Sequence, residues 1–170
     1  MLRLEKPEVK DYWYEQKIQS DPKTMSYNKG YEVTYKGYHY DTGCIDFEEK
    51  DWEKTYAKRH QKNIFLFYLK NTTTNEYVGY TNYYYNEEEK RYECGILIEA
   101  SKRGKGYAKE GLQLLCNEAK RNGIKALYDS FEKDRPGIHI FKELGFQIIE
   151  EKTWLKDGQE VTGIIVCKEL

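Results

Sequence analysis

The chain has 170 residues, 39% hydrophobic, 15% aromatic and 34% charged, a balance that excludes disordered, collagen-like and membrane-spanning classes. Its 28 Lys and Arg stand against 29 Asp and Glu, so no global basic field draws it to nucleic acid or an anionic membrane, and any cationic site must be local. A chain this long buries roughly 70% of its unfolded surface and needs neither a disulfide nor a structural metal.

Taken in chain order, Met1 to Lys6 is charged almost at once and lacks the apolar stretch of a signal peptide. The four cysteines form no C-x-x-C pair and sit mostly in apolar runs, which reads as reduced, buried thiols. The expectation is a cytoplasmic protein without a metal, since the three histidines have no ligand spacing among themselves or with the cysteines. Helices are predicted near Glu8 to Gln19 and Glu48 to Gln61, separated by the irregular, Gly- and Tyr-rich segment Met25 to Gly43. A meander follows, with strands Ile64 to Lys70, Tyr77 to Tyr85 and Tyr92 to Ile98. Beyond Gly104 and Gly106, the spacing of Ala108, Leu112, Leu115 and Ala119 predicts a helix with one buried stripe, stopped by Asn122-Gly123. A strand at Lys125 to Phe131 precedes a short helix with Pro136 in its first turn and Gly145 beyond its end. Strands Phe146 to Glu150 and Val161 to Lys168 close the chain, and Asp157-Gly158 signals a type I′ hairpin. Alternation of strand and helix in this half predicts an α/β core with a parallel crossover.

Gly95 to Lys109 carries the chemistry: a strand runs into a basic glycine loop that opens a helix. Helix N-terminal amides lack intrahelical partners and lie at the positive end of the dipole, glycines let the backbone come close, and Arg103, Lys105 and Lys109 add charge, so the loop suits a pyrophosphate. The P-loop pattern G-x-x-x-x-G-K-[ST] is absent, and Gly104-Lys105-Gly106 is followed by Lys109, which breaks G-x-G-x-x-G.

Arg103-x-x-Gly106-x-Ala108 resembles the R/Q-x-x-G-x-G/A pyrophosphate loop of the GNAT superfamily of acyl-CoA-dependent N-acetyltransferases. Asp134 through Phe146 resembles that family's second signature, N-x-x-A-x-x-L-Y-x-K-x-G-F. Asp134 replaces Asn, Gly137 replaces Ala, Phe141 replaces Tyr, and Lys142 precedes the place of the patterned lysine. The likeness covers roughly Tyr77 to Phe146; more loosely, Tyr92 to Leu97 looks like a strand of the branch that acetylates ribosomal-protein N-termini. It implies a mixed α/β fold: a central, mostly antiparallel sheet flanked by helices, with a parallel strand pair splayed around acetyl-CoA. One domain over residues 1–170 is expected, with acceptor-side helices and loop in 1–62, the acetyl-CoA-binding core in 63–150 and a C-terminal hairpin in 151–170.

The resemblance further implies direct attack of a primary amine on the acetyl-CoA thioester, CoA being released. It assigns the grip on the cofactor to Arg103, Gly104, Lys105, Gly106, Tyr107, Ala108 and Lys109, the thioester carbonyl to the strand end at Leu97 and Ile98, and further contacts to Asp134 and Phe141. An amine with a pKa near 10.4 is almost wholly protonated at pH 7, so a base is needed, and Glu93 is the first candidate before His39, His60 and His139. Phe141 has no hydroxyl to protonate the departing thiolate, a task the family commonly gives to tyrosine; water, Ser130 or another tyrosine would have to serve. Tyr27, Tyr31, Tyr35, Tyr38, Tyr40 and Trp52, with Asp41, Asp46 and Glu48, suit a cationic amine and equally suit a loop packed on itself. The acceptors open to this reading are a polyamine, an aminoglycoside, an amino acid and a peptide N-terminus, with no nucleic acid and no membrane as partner. A homodimer through Tyr80 to Tyr85 and a catalytically lapsed CoA- or partner-binding protein are the other expectations carried forward.

Overall fold

A computed structural model describes residues 1–61 and 64–170. The strands are β1 (Leu2–Glu5), β2 (Ile64–Asn71), β3 (Tyr77–Asn86), β4 (Arg91–Ile98), β5 (Ala126–Glu132), β6 (Gln147–Lys156) and β7 (Gln159–Glu169). The helices are α1 (Trp13–Gln19), α2 (Pro22–Met25), α3 (Trp52–Gln61), α4 (Tyr107–Arg121) and α5 (Ile138–Glu143). All seven strands join one sheet in the order β1-β2-β3-β4-β5-β7-β6. Every neighbouring pair is antiparallel except β4 and β5, which run parallel and meet in register at one pair, Glu93 with Tyr128.

The mixed sheet with its parallel pair is the architecture expected from the strand-helix alternation. Three details depart from the reading. β1 is an edge strand beyond those expected: Leu2–Glu5 pairs with Tyr68 to Asn71, and charged neighbours hide a strand this short. The two N-terminal helices each open with a 3-10 turn, Val9–Asp11 and Glu49–Asp51, so their α portions start later than Glu8 and Glu48. α5 starts at Ile138 after an N-cap Gly137 at φ 98°, which leaves Pro136 just outside the helix rather than in its first turn. The expected boundary at residues 62 and 63 lies outside the described residues.

Local chemistry sets the element ends. α4 stops in a Schellman motif, with Ile124 N–H donating to Ala119 O (3.0 Å) and Gly123 N–H to Lys120 O (3.0 Å), Gly123 taking φ 81°. Asp157 and Gly158 take φ 51° and 71°, as the type I′ turn between β6 and β7 demands. On one sheet face Leu112, Leu115, Cys116 and Ala119 of α4 are buried against Phe67, Tyr83, Leu127, Ile164 and Val166. On the other, Tyr12, Tyr14, Ile18 and Trp52 pack on Tyr68 and Leu97. This second core holds Glu15, 1% exposed as a side chain, which accepts from Arg59 Nη1 (3.0 Å), Arg59 Nη2 (2.6 Å) and the Tyr68 hydroxyl (3.1 Å). A bidentate guanidinium with a hydroxyl satisfies a carboxylate that would otherwise be costly to bury. The four cysteines are free; Cys44, Cys94 and Cys116 are buried and Cys167 half-buried.

Candidate active site

β4 and β5 part beyond their single paired position, and the gap opens into a cavity of about 1170 Å³. One wall is the glycine loop and the start of α4. Gly104 and Gly106 sit at φ 78° and 80°, in the left-handed region, and a Cβ built on either meets nothing within 4 Å. No side chain caps α4, so its first amides stand open at the positive end of a 15-residue helix. A backbone cradle of this kind, lined also by Tyr107, Ala108 and Lys109, fits a diphosphate.

Arg103 lines the cavity but is turned partly to structure. Its Nε donates to Ile98 O (3.1 Å) and its Nη2 to Thr24 O (3.0 Å), which ties the end of β4 to α2. Burial first and Arg135 second lower its proton affinity. Lys109 Nζ pairs with Glu143 of α5 at 2.8 Å, while Lys105 is exposed and outside the cavity lining. Leu97, Ile98, Asp134 and Phe141 all line the cavity. Phe141 is buried in an aromatic trio, 4.9 Å from the Phe131 ring and 5.1 Å from that of Phe146.

Glu93 lies outside the cavity lining. Its Oε1 accepts from Asn86 Nδ2 (3.2 Å) and Arg91 Nε (3.2 Å), an arrangement that anchors the β3–β4 turn. Of the histidines only His139 reaches the cavity; His39 pairs with Asp46 (2.8 Å), and His60 bonds Tyr56 O (2.8 Å).

The facing wall is made of side chains. Of the six aromatic residues singled out for the acceptor, Tyr27 and Tyr31 line the cavity. Tyr35 and Tyr40 point to solvent, Tyr38 donates to Asn28 O (2.6 Å), and Trp52 donates to Phe47 O (3.0 Å) from the core. The Tyr31 hydroxyl donates to Glu132 Oε1, which also accepts Lys156 Nζ at 2.8 Å. Desolvation and then that donation push Tyr31 up to about 12, so it stays protonated. The indole of Trp154 packs over Gly163, where a Cβ would come within 1.7 Å of it. Its Nε1 is the one buried side-chain nitrogen or oxygen among the described residues without a hydrogen-bond partner. Asp157 N–H donates to Gly30 O (2.8 Å), which fastens the hairpin tip to the irregular segment.

Sequence reasoning missed Asp129. It lines the cavity from β5 and its Oδ1 accepts the Ser130 amide at 2.8 Å. Desolvation is the largest influence and pushes its pKa up to about 7; the Ser130 amide and Arg135 oppose this, while Glu93 adds to it. The signal was present as an acid spaced by two from Leu127 and Phe131, both core residues of one strand.

A family model described as "Acetyltransferase (GNAT) family" matches residues 26–146. No curated protein matches the chain by sequence. Among solved structures, a spermidine N-acetyltransferase from Vibrio cholerae in complex with CoA and spermine is similar at TM-score 0.77 and 18% identity, covering 99% of this chain and 95% of that one. A ribosomal-protein-alanine N-acetyltransferase from Brucella melitensis is similar at TM-score 0.76 and 16% identity, over 100% and 99%. The Salmonella typhimurium protein yncA, solved with its cofactor acetyl-CoA, is similar at TM-score 0.75 and 14% identity, over 99% and 93%.

Proposed function

Because the chain belongs to the GNAT acetyltransferase family, we propose that it transfers the acetyl group of acetyl-CoA to a primary amine, of a small molecule or a peptide N-terminus, by direct attack. The observation that carries this is the open backbone cradle at Gly104 and Gly106, continuous with a cavity that ends in the β4–β5 gap. Acetyl-CoA, when bound, supplies an acetyl group activated as a thioester. Amides from Gly104 to Lys109 hold its diphosphate, while Arg103 keeps the loop in shape through Ile98 O and Thr24 O. At the strand end of Leu97 and Ile98, both on the cavity lining, the Ile98 amide orients the thioester while Arg103 holds the Ile98 carbonyl, and Phe141 packs against the pantetheine arm. Asp134 borders the same groove, and Lys105 adds only long-range charge.

On the acceptor side, Tyr27, Tyr31 and Trp154 offer apolar faces and Glu132 a charged oxygen to an amine. Glu93 acts on proton removal only through water or through its charge, given its bonds to Arg91 and Asn86. The direct test is calorimetric titration with acetyl-CoA, using dephospho-CoA, ATP and Gly106→Glu as controls, followed by thiol release across an amine panel. Micromolar binding lost in the variant supports the reading, and absence of binding removes it. Binding without thiol release to any amine makes the chain a CoA-binding protein whose catalysis has lapsed.

A further inference from the structure

We propose that Asp129 is the single proton carrier of the transfer: its carboxylate takes the proton of the attacking amine and passes it on to the departing thiolate. This deepens the acetyl-transfer reading and rests on it. Asp129 lines the cavity one residue past Tyr128, where β4 and β5 make their only register pair, so it stands at the mouth of the gap between the strands. Among the described residues its carboxylate accepts only the adjacent Ser130 amide, which leaves it lone pairs for a ligand proton.

The second half of the task needs a group that can give back the proton it took. Position 141 holds a phenyl ring in the Phe131–Phe141–Phe146 trio and has no proton to give. Among the tyrosines of the cavity, Tyr31 gives its proton to Glu132, while Tyr107, which accepts from Asn71 Nδ2 (2.9 Å), and Tyr27, with Arg135 4.7 Å over its ring, keep theirs but as neutral hydroxyls are poor bases for an amine. The titratable groups within electrostatic reach of Asp129 are Glu93 and Cys94 from β4, Tyr84 from β3, Tyr27 from the turn after α2, and Arg135 from the loop after β5. Arg135 favours the carboxylate and Glu93 opposes it; desolvation outweighs both and holds the group near neutrality, where one carboxyl both accepts and donates. Written from the neutral amine, its ammonium proton having gone to solvent, the proton balance closes: the N–C bond forms as the C–S bond breaks, amine and thioester become amide and thiol, and Asp129 ends as it began.

The test uses the full chain with acetyl-CoA and three acceptors: ethylamine, spermidine and an alanyl peptide. Asp129→Asn is expected to lower turnover by about 100-fold or more, the usual scale of acid–base catalysis, with acetyl-CoA affinity retained. The acidic limb of the pH–rate profile near 7 should vanish with it, and Asp129→Glu should restore the limb in part. Phe141→Tyr added to Asp129→Asn should recover roughly tenfold above pH 8, by returning a donor for the thiolate. Independently of turnover, the carboxyl carbon-13 signal that disappears in Asp129→Asn should titrate near 7 in the free protein. Turnover of Asp129→Asn within twofold of the parent, a limb that survives, or a carboxyl that titrates near 4 each overturn the proposal. So does a parent chain that binds acetyl-CoA yet releases no thiol, whereas failure to bind acetyl-CoA overturns the acetyl-transfer reading itself.

Discussion

The two walls of the cavity are built from different materials. Around Gly104 and Gly106 the surface is main chain, and its fitness depends on side chains being absent. Opposite, Tyr27, Tyr31, Trp154, Glu132 and Lys156 form the surface with their side chains, and Tyr31, Glu132 and Lys156 are held to one another from distant parts of the chain. A backbone wall recognises what every acyl donor of one kind shares, whereas a side-chain wall can be re-cut for each acceptor without touching the donor grip.

The contrast is broken most severely by Gly106→Glu. It adds a Cβ at φ 80° and sets a carboxylate where an anion would bind, so acetyl-CoA affinity should fall by at least about 100-fold in calorimetry while circular dichroism stays native. Tightly bound acetyl-CoA in this variant would show that the backbone wall is not the donor site. Glu15→Ala, remote from both walls, leaves Arg59 buried without its carboxylate and should cost about 3–5 kcal/mol in denaturant unfolding.

On the side-chain wall, Gly163→Val forces the indole of Trp154 off its strand and should destabilise by about 1–3 kcal/mol. Its acceptor KM should rise several-fold while acetyl-CoA affinity holds; equal losses in both would mean the walls are not independent. Asp129→Asn gives an effect of opposite sign on stability. An acid whose pKa is about 7 when folded, against 3.8 otherwise, binds its proton more tightly in the folded state. Folding therefore loses stability as pH rises from about 4 to 7 and does not regain it above. The variant should melt higher than the parent at pH 8.5, with the gap closing toward pH 4, as thermal melts would read. Tyr31→Phe, smallest of all, should raise acceptor KM about two- to threefold, since Glu132 keeps Lys156 and loses one neutral donor.

The same contrast explains what could be read from the amino acids alone. Gly104, Gly106 and the Asn122-Gly123 stop announce the backbone wall because left-handed positions leave a residue-type mark at one place in the chain. The type I′ hairpin at Asp157-Gly158 is legible for the same reason. Which of the five tyrosines in Met25 to Gly43 faces the cavity is not, because that depends on partners such as Glu132, 101 residues from Tyr31. Glu93 and Asp129 show a further limit: both are strand carboxylates, and only the fold reveals that Arg91 engages one while the other lines the cavity. Strand β1 was hidden because Leu2 and Leu4 are too few to set a period against Arg3 and Glu5.

The single register pair at Glu93 and Tyr128 also has a mechanical meaning. Four strands lie on one side of that seam and three on the other, so the sheet is two slabs joined by a narrow bridge rather than one plate. Amides of β4 and β5 that border the gap lack a strand across from them and are expected to trade hydrogen with solvent quickly in the free protein. Once a ligand chain fills the seam and bonds to both edges, it serves as the missing strand, and those amides should slow together.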